Sequence, residues 1–313
     1  MKKGRIIKLI GGLYTVMDLE TNDIIEAKAR GKLRFMKLDK NSSFLKSKTK
    51  RNTSVQTIKL SPKVGDFVTY ELNDGINYIT DIYERKNSLI RPDVSNVDQI
   101  ILIFSCVSPN LSYTLLDRFL VLLDANDIDV VVVISKIDLV SIDELQQIQD
   151  KMHYYEKNIK IKLFYVNSLD KLDDDVKSIF KDKVSILSGQ SGVGKSSFIN
   201  ALIPGFSLRT QETSQALGRG KHTTRCIELY QYNGGLIGDT PGFGSLELYD
   251  MHIEDLPTHF KDFKQYHCKY RGCMHLKEPG CGVKEAVLNG DILPSRYESY
   301  KLFIEEVKEI KKY

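Results

Sequence analysis

The segment Gly189-Gln190-Ser191-Gly192-Val193-Gly194-Lys195-Ser196-Ser197 carries the residue types needed to hold a polyphosphate. Its glycines let backbone N–H groups turn inward around phosphate oxygens, and the helix that follows would add its positive dipole end. The Lys195 ammonium would reach the β- and γ-phosphates, and the Ser196 hydroxyl would ligate Mg²⁺. Such a loop needs a buried strand before it and a helix after it. The apolar run Val184–Ser188 and the helical pattern Ser196–Leu202 supply both.

A phosphate cradle does not by itself choose GTP over ATP. Asp239-Thr240-Pro241-Gly242 lies fifty residues after Gly189, at the end of the apolar strand Gly235–Asp239. The Asp239 carboxylate can hold Mg²⁺ through water, and the Gly242 amide can bind the γ-phosphate and report its loss. Base selection is expected from Ser135-Lys136-Ile137-Asp138, directly after the strand Val130–Ile134. Asp138 can accept from the guanine N1 and N2 donors, which adenine lacks, while the Lys136 stem packs over the base. GTPases usually have asparagine where this chain has Ser135, which is shorter and has no amide, so guanine specificity falls to Asp138. Ser168-Leu169, after the strand Ile161–Val166, fits the next element, in which a backbone amide meets the guanine O6.

These motifs run in an unusual order. The base-reading elements precede the phosphate loop and Asp239, whereas in ordinary GTPases they follow. The same sheet can form from a chain cut and rejoined at the surface, so a circularly permuted domain is expected. The segment Asp239–Gly244 then leads into the C-terminal part of the chain, and hydrolysis is expected to move that part.

Many GTPases place a glutamine just after Asp-x-x-Gly to orient the attacking water; here Phe243 stands in its place. Positioning and charge stabilisation would still leave slow intrinsic turnover. The nearest replacement is His222 in Gly220-Lys221-His222-Thr223-Thr224, where the first switch belongs; its other reading is a phosphate or RNA contact. Thr223 or Thr224 would coordinate Mg²⁺.

A second chemistry lies further on. Cys268-x4-Cys273-x-His275-x5-Cys281 gathers three thiolates and an imidazole within fourteen residues. Four such ligands with no open position suit one tetrahedral structural Zn²⁺ per chain. His267, next to Cys268, competes with His275 for the fourth place. Gly272, Gly280 and Gly282 permit the tight turns, and so small a domain would draw much of its folding free energy from the metal.

The elements that must position these groups fall into three parts, expected at 1–85, 86–245 and 246–313. In the first, short β-branched and aromatic strands (Arg5–Ile10, Tyr14–Leu19, Phe67–Leu72) are separated by turns, as in an OB-type β-barrel; Lys46–Thr57 reads as a polar loop. In the second, apolar runs alternate with helical patterns: Gln99–Val107, Thr114–Asn126, Val130–Ser135, Ile142–Asn158 and Ile161–Val166. That alternation indicates an α/β domain on a parallel sheet. The third is mainly helical and ends with Tyr300, Phe303, Val307 and Ile310 along one face.

Composition narrows the class. A length of 313 residues exceeds what one core usually supports, about 250–300, and 42% hydrophobic with 27% charged residues describes a folded, soluble chain. The apolar runs are far shorter than the ~18–20 residues that span a bilayer, and no secretory signal is recognisable. Five cysteines, three of them clustered, point to metal ligation in a reducing compartment, so a cytoplasmic protein with no membrane partner is expected. Cys106 reads as a small buried hydrophobe. Residues 1–63 hold sixteen Lys and Arg against five Asp and Glu, a charge of +11; with +4 overall, the other 250 residues carry −7. A polyanionic partner at the basic end follows.

Taken together, the chain resembles the ribosome small-subunit-dependent GTPase A family (RsgA), circularly permuted bacterial GTPases of late 30S subunit maturation. The resemblance spans the whole chain and rests on Gly189–Ser197, on Gly218-Arg219-Gly220-Lys221-His222-Thr223-Thr224 and on the cysteine–histidine cluster. It implies GTP hydrolysis stimulated by the 30S subunit, with 16S rRNA and GTP or GDP as partners. It also implies a catalytic role for His222 and, by its spacing, His275 as the fourth zinc ligand. A monomer is expected. Two other classes stand beside this one: a non-cycling RNA-binding adaptor with a GTP-stabilised G domain, in keeping with Phe243 and Ser135, and a P-loop ATPase, against which Asp138 argues.

Overall fold

The computed structural model describes residues 1–30, 36–37, 57–58, 61–89, 93–167, 170–205, 227–239, 248 and 251–310. Its strands are β1 (Lys2–Ile10), β2 (Leu13–Asp18), β3 (Ile24–Ala29), β4 (Met36–Lys37), β5 (Thr57–Ile58), β6 (Phe67–Asn73) and β7 (Ile76–Ile82). Six more follow: β8 (Gln99–Ser105), β9 (Asp129–Ser135), β10 (Lys162–Val166), β11 (Val184–Ser188), β12 (Glu228–Tyr232) and β13 (Gly235–Asp239). The α-helices are α1 (Tyr113–Asp124), α2 (Ile142–Ile159), α3 (Asp174–Ser178), α4 (Lys195–Leu202), α5 (Gly282–Leu288) and α6 (Pro294–Ile310).

Two compact units emerge, one made of Met1–Gln99, Lys177–Leu187 and Thr210–Pro241, the other of Ile100–Val176, Ser188–Arg209 and Gly242–Tyr313.

In the first unit, β1, β2, β3, β7 and β6 follow one another and β6 returns to β1, closing a five-stranded barrel. β3 and β7 run parallel and the remaining pairs antiparallel, which is the OB arrangement. Alternation turns Ile6, Val16, Val68 and Ile79 inward, each without solvent exposure. The chain leaving the barrel is pinned to it. Arg85 grips Asp66 through two hydrogen bonds of 2.6 and 2.7 Å, Ser95 donates to the same carboxylate, and Arg5 donates to the Asn96 carbonyl at 2.8 Å. In the same unit β11 pairs in parallel with β13, β13 pairs antiparallel with β12, and β12 meets β1 at Glu228 and Lys8.

β12 has no counterpart among the expected strands. The signal for it was Asn233-Gly234, a dipeptide that supplies two residues of positive φ (48° and 79°) and so makes a two-residue hairpin between Tyr232 and Gly235.

In the second unit β10 pairs in parallel with β9, and β9 lies beside β8. β8 is buried throughout, as a strand covered on both faces must be. Ser112 caps α1 and Ser141 with Glu144 forms a capping box at α2, so each helix starts where its first N–H groups find an acceptor. The C-terminal part builds its core from Leu256, Phe260, Phe263, Tyr300, Phe303 and Val307, and Val121 of α1 belongs to that same core.

Beneath it lies a charged cluster closed to solvent. The Arg296 guanidinium donates to Asp117 of α1 at 2.7 Å and to Asp262 at 3.0 Å. Tyr155 donates to Asp117 at 2.9 Å and Tyr154 to Asp262 at 2.7 Å. Burial works against the Arg296 charge, but the two carboxylates outweigh it and hold the guanidinium protonated. The C-terminal part is thereby keyed into α1 and α2, and any nucleotide-driven movement of it must carry those helices along. Among the described residues no helix is long and apolar enough to cross a membrane.

Candidate nucleotide and metal sites

The phosphate loop leaves β11 at Gly189, whose backbone lies so close to the Ile103 carbonyl of β8 that a Cβ would collide with it. Gly192 and Gly194 take φ of +83° and +89°, which bends the chain back and starts α4 with no side-chain cap on its first N–H groups. Those donors suit an anion at the helix start. Val193 is buried and anchors the loop, while Ser191, Gly192 and Ser196 are exposed; Gln190, Gly194, Lys195 and Ser197 are half-buried.

The end of β9 meets this loop directly. Ser135, the last residue of β9, is fully buried, and its hydroxyl donates to the Val193 carbonyl at 2.5 Å with the Phe104 carbonyl 3.0 Å away. Lys136 adopts a left-handed conformation, φ 57°, and its Nζ donates to the carbonyls of Val107 (3.3 Å) and Ser108. A single 3₁₀ turn over Ile137–Leu139 then leaves Ile137 half-buried and Asp138 exposed. Asp138 is near enough to Cys106 that its charge adds to the rise that burial produces in the thiol pKa.

Sequence reasoning missed the segment Val107–Pro109. It touches the base loop through Lys136 and borders the phosphate loop, since a Cβ on Gly192 would lie 3.8 Å from Pro109 and from the Ser108 carbonyl. Nothing in its composition marks it.

Asp239 closes β13 in the first unit and is half-buried. A carboxylate is the kind of oxygen donor that a hard cation such as Mg²⁺ takes, and in the second unit the Ser196 hydroxyl is exposed at the first turn of α4. Ser168, Leu169, His222, Thr223, Thr224, Gly242 and Phe243 lie outside the described residues.

The cysteine–histidine cluster converges. The ligand atoms of Cys268, Cys273, His275 and Cys281 all lie within 4.8 Å of one another. Zn–S bonds of about 2.3 Å and a Zn–N bond of about 2.0–2.1 Å require tetrahedral edges of roughly 3.8 Å between sulfurs and roughly 3.5 Å from sulfur to nitrogen. Cys268 Sγ stands 3.9 Å from Cys281 Sγ, and His275 Nδ1 stands 3.5 and 3.4 Å from those two sulfurs. The set fits zinc.

His267 is exposed and takes no part. Gly272 and Gly280 have positive φ as the turns require, but Gly282 serves differently, since a Cβ there would strike the His267 carbonyl. Burial pulls His275 toward its neutral, ligating form and pushes the Cys273 thiol up to about 12, so a cation is what would hold that sulfur as thiolate. The knuckle is braced by Glu278, which accepts from the Met274 and Leu276 amides, and by the hydroxyls of Tyr297 and Tyr300, which donate to the His275 and Met274 carbonyls at 2.6 and 2.5 Å.

The loop Gly189–Ser197 between β11 and α4, joined to the end of the earlier strand β9, together with an OB barrel and a Cys₃His knuckle, is the architecture of a circularly permuted GTPase. The chain matches the RsgA GTPase family model over residues 82–249 and the RsgA N-terminal domain over residues 3–40. The small ribosomal subunit biogenesis GTPase RsgA of Onion yellows phytoplasma is 44% identical over 317 residues, covering 100% of both chains. The protein of the same name from Bacillus subtilis is 43% identical over 320 residues, covering 99% of each. Two solved structures share the fold. YjeQ from Thermotoga maritima has a TM-score of 0.78 and 33% identity over 98% of both chains, and YloQ, described as a circularly permuted GTPase, has 0.74 and 39% over 99% of this chain and 96% of its own. The chain belongs to the RsgA family of GTP-hydrolysing enzymes.

Proposed function

We propose that the chain hydrolyses GTP as a late assembly factor of the small ribosomal subunit, gripping 16S rRNA through its basic barrel and its C-terminal part. The observation that supports this reading best is the hydrogen bond from Ser135 to the Val193 carbonyl, which joins the end of β9 to the loop Gly189–Lys195. The name shared by its relatives supplies the assembly role. The segments 1–85, 86–245 and 246–313 divide the work as barrel, GTPase and zinc-binding parts, in a cytoplasmic monomer.

In this mechanism the N–H groups of Gly189–Lys195 surround the phosphates and Lys195 neutralises the β- and γ-oxygens. Ser196 and Asp239, with Thr223 or Thr224, would hold Mg²⁺, which adds positive charge where the leaving group develops its negative charge. Asp138 accepts from guanine N1 and N2, Lys136 covers the base, and the Ser168 amide meets O6. His222 orients the attacking water once a partner orders its segment, and the Gly242 amide reports loss of the γ-phosphate. Cys268, Cys273, His275 and Cys281 would hold zinc in a structural role.

The test is GTP turnover with and without purified 30S subunits, with ATP and GTP as competing ligands. Stimulation by 30S and preference for GTP are expected. Absence of turnover both with and without the subunit would favour the non-cycling adaptor, and equal competition by ATP would overturn the assignment of Asp138.

A further inference from the structure

Three strands of the first unit bring three charged residues into one row. In the register of β1, β12 and β13, Lys8 stands opposite Glu228 and Glu228 stands opposite Asp239. Directly opposed residues on neighbouring strands point to the same face of a sheet, so an ammonium and two carboxylates line up across it. Lys8 Nζ lies 2.6 Å from Glu228 Oε2, with the two side chains 15% and 27% exposed. Tyr230, two residues along β12 and on the same face, hydrogen-bonds to Glu228. Burial and the charges of Glu228 and Asp239 raise its phenol pKa.

Lys8 comes from the barrel, and Asp239 is the carboxylate assigned above to Mg²⁺. Without Lys8, the Glu228 carboxylate would lose its paired ammonium while standing directly opposite Asp239, at about 5 Å between Cα atoms. We propose that Lys8 is a positioning residue for the divalent-cation site: by pairing with Glu228 it keeps a second carboxylate out of the field at Asp239, and it draws the barrel into the nucleotide cycle. The proposal rests on the reading that Asp239 holds Mg²⁺. Partly exposed ion pairs contribute little to folding, so the effect to be read is on the cation and not on stability.

The experiment titrates Mg²⁺ into full-length protein and reads retention of a fluorescent GDP at equilibrium, with melting temperatures recorded in parallel. Lys8→Met leaves the Glu228 charge uncompensated near a dication and lowers the Mg²⁺ concentration at half-retention by roughly five-fold. Glu228→Gln leaves Lys8 as the uncompensated charge and shifts the midpoint by a similar factor in the opposite direction. The double variant returns to the wild-type midpoint. Shifts of opposite sign that cancel, at unchanged melting temperature, support the proposal. Unshifted midpoints in both single variants overturn it, as do shifts of one sign that track a loss of melting temperature. Wild-type protein that retains GDP without regard to Mg²⁺ overturns both this proposal and the Asp239 assignment. Mg²⁺-dependent wild type with unresponsive variants overturns the role of Lys8 alone.

Discussion

The hydroxyl of Ser135 and the carbonyl of Val193, 58 residues apart in the chain, meet at 2.5 Å in a position closed to solvent. A serine is long enough for this contact because β9 ends directly beside the phosphate loop, so the usual asparagine amide is not required for it. Removing the hydroxyl in Ser135→Ala leaves buried carbonyls without their donor, which costs about 1–3 kcal/mol. The base and phosphate loops should then lose their fixed spacing. Weaker GTP binding with little change in ATP binding is expected, read by competition calorimetry.

Gly189→Ala tests the cradle. The added methyl must move either the loop or the Ile103 carbonyl, since both are backbone. Nucleotide binding should fall roughly five- to hundred-fold, by analogy with packing strain of about 1–3 kcal/mol, while the circular dichroism spectrum stays that of a folded protein. Wild-type affinity in this variant would show that the loop is looser than its geometry.

Elemental analysis should find about one zinc per chain, as one four-ligand set allows. Chelation should increase amide exchange across 268–281 and along α6, because Tyr297 and Tyr300 donate to carbonyls of the ligand loop. A folded, exchange-protected C-terminal part that contains no metal would refute the structural role.

Arg296→Met should be among the most damaging single changes. It strands Asp117 and Asp262 as buried carboxylates, and breaking a buried pair this way costs about 3–5 kcal/mol. Arg296→Lys keeps the charge but loses the fork that serves two acids, so it should fall between wild type and methionine. Denaturant midpoints measure both.

His222→Ala should abolish 30S-stimulated turnover and leave nucleotide affinity nearly intact. Unchanged stimulation would remove His222 from the mechanism and leave water orientation to another group.

Much of the site was legible because phosphate and metal chemistry dictate residue type at fixed spacing. Gly189–Ser197 and the four zinc ligands are of that kind, and the strands and helices flanking the first of them followed from periodicity. β12 was less visible, because Glu228-Leu229-Tyr230-Gln231-Tyr232 is half polar and only its Asn233-Gly234 turn marks it. The place of Val107–Pro109 beside the nucleotide loops could not be read, since it depends on tertiary approach and not on composition. Ser135 reads in the sequence as a departure from the usual asparagine, and its buried link to the phosphate loop is visible only from the position of Val193. Nor could spacing show that Arg296 would find one acid 179 residues upstream and another 34 residues upstream.

Tyr297 and Tyr300, which steady the zinc ligands, ride on the same helix as Arg296, which is locked to α1 and α2. The C-terminal part is therefore not a detachable cassette. A chimera that grafts this part from a distant relative would have to bring matching partners for Asp117, Tyr154 and Tyr155 with it, and a truncation before Pro294 would strip the buried Asp117 and Asp262 of their counter-charge.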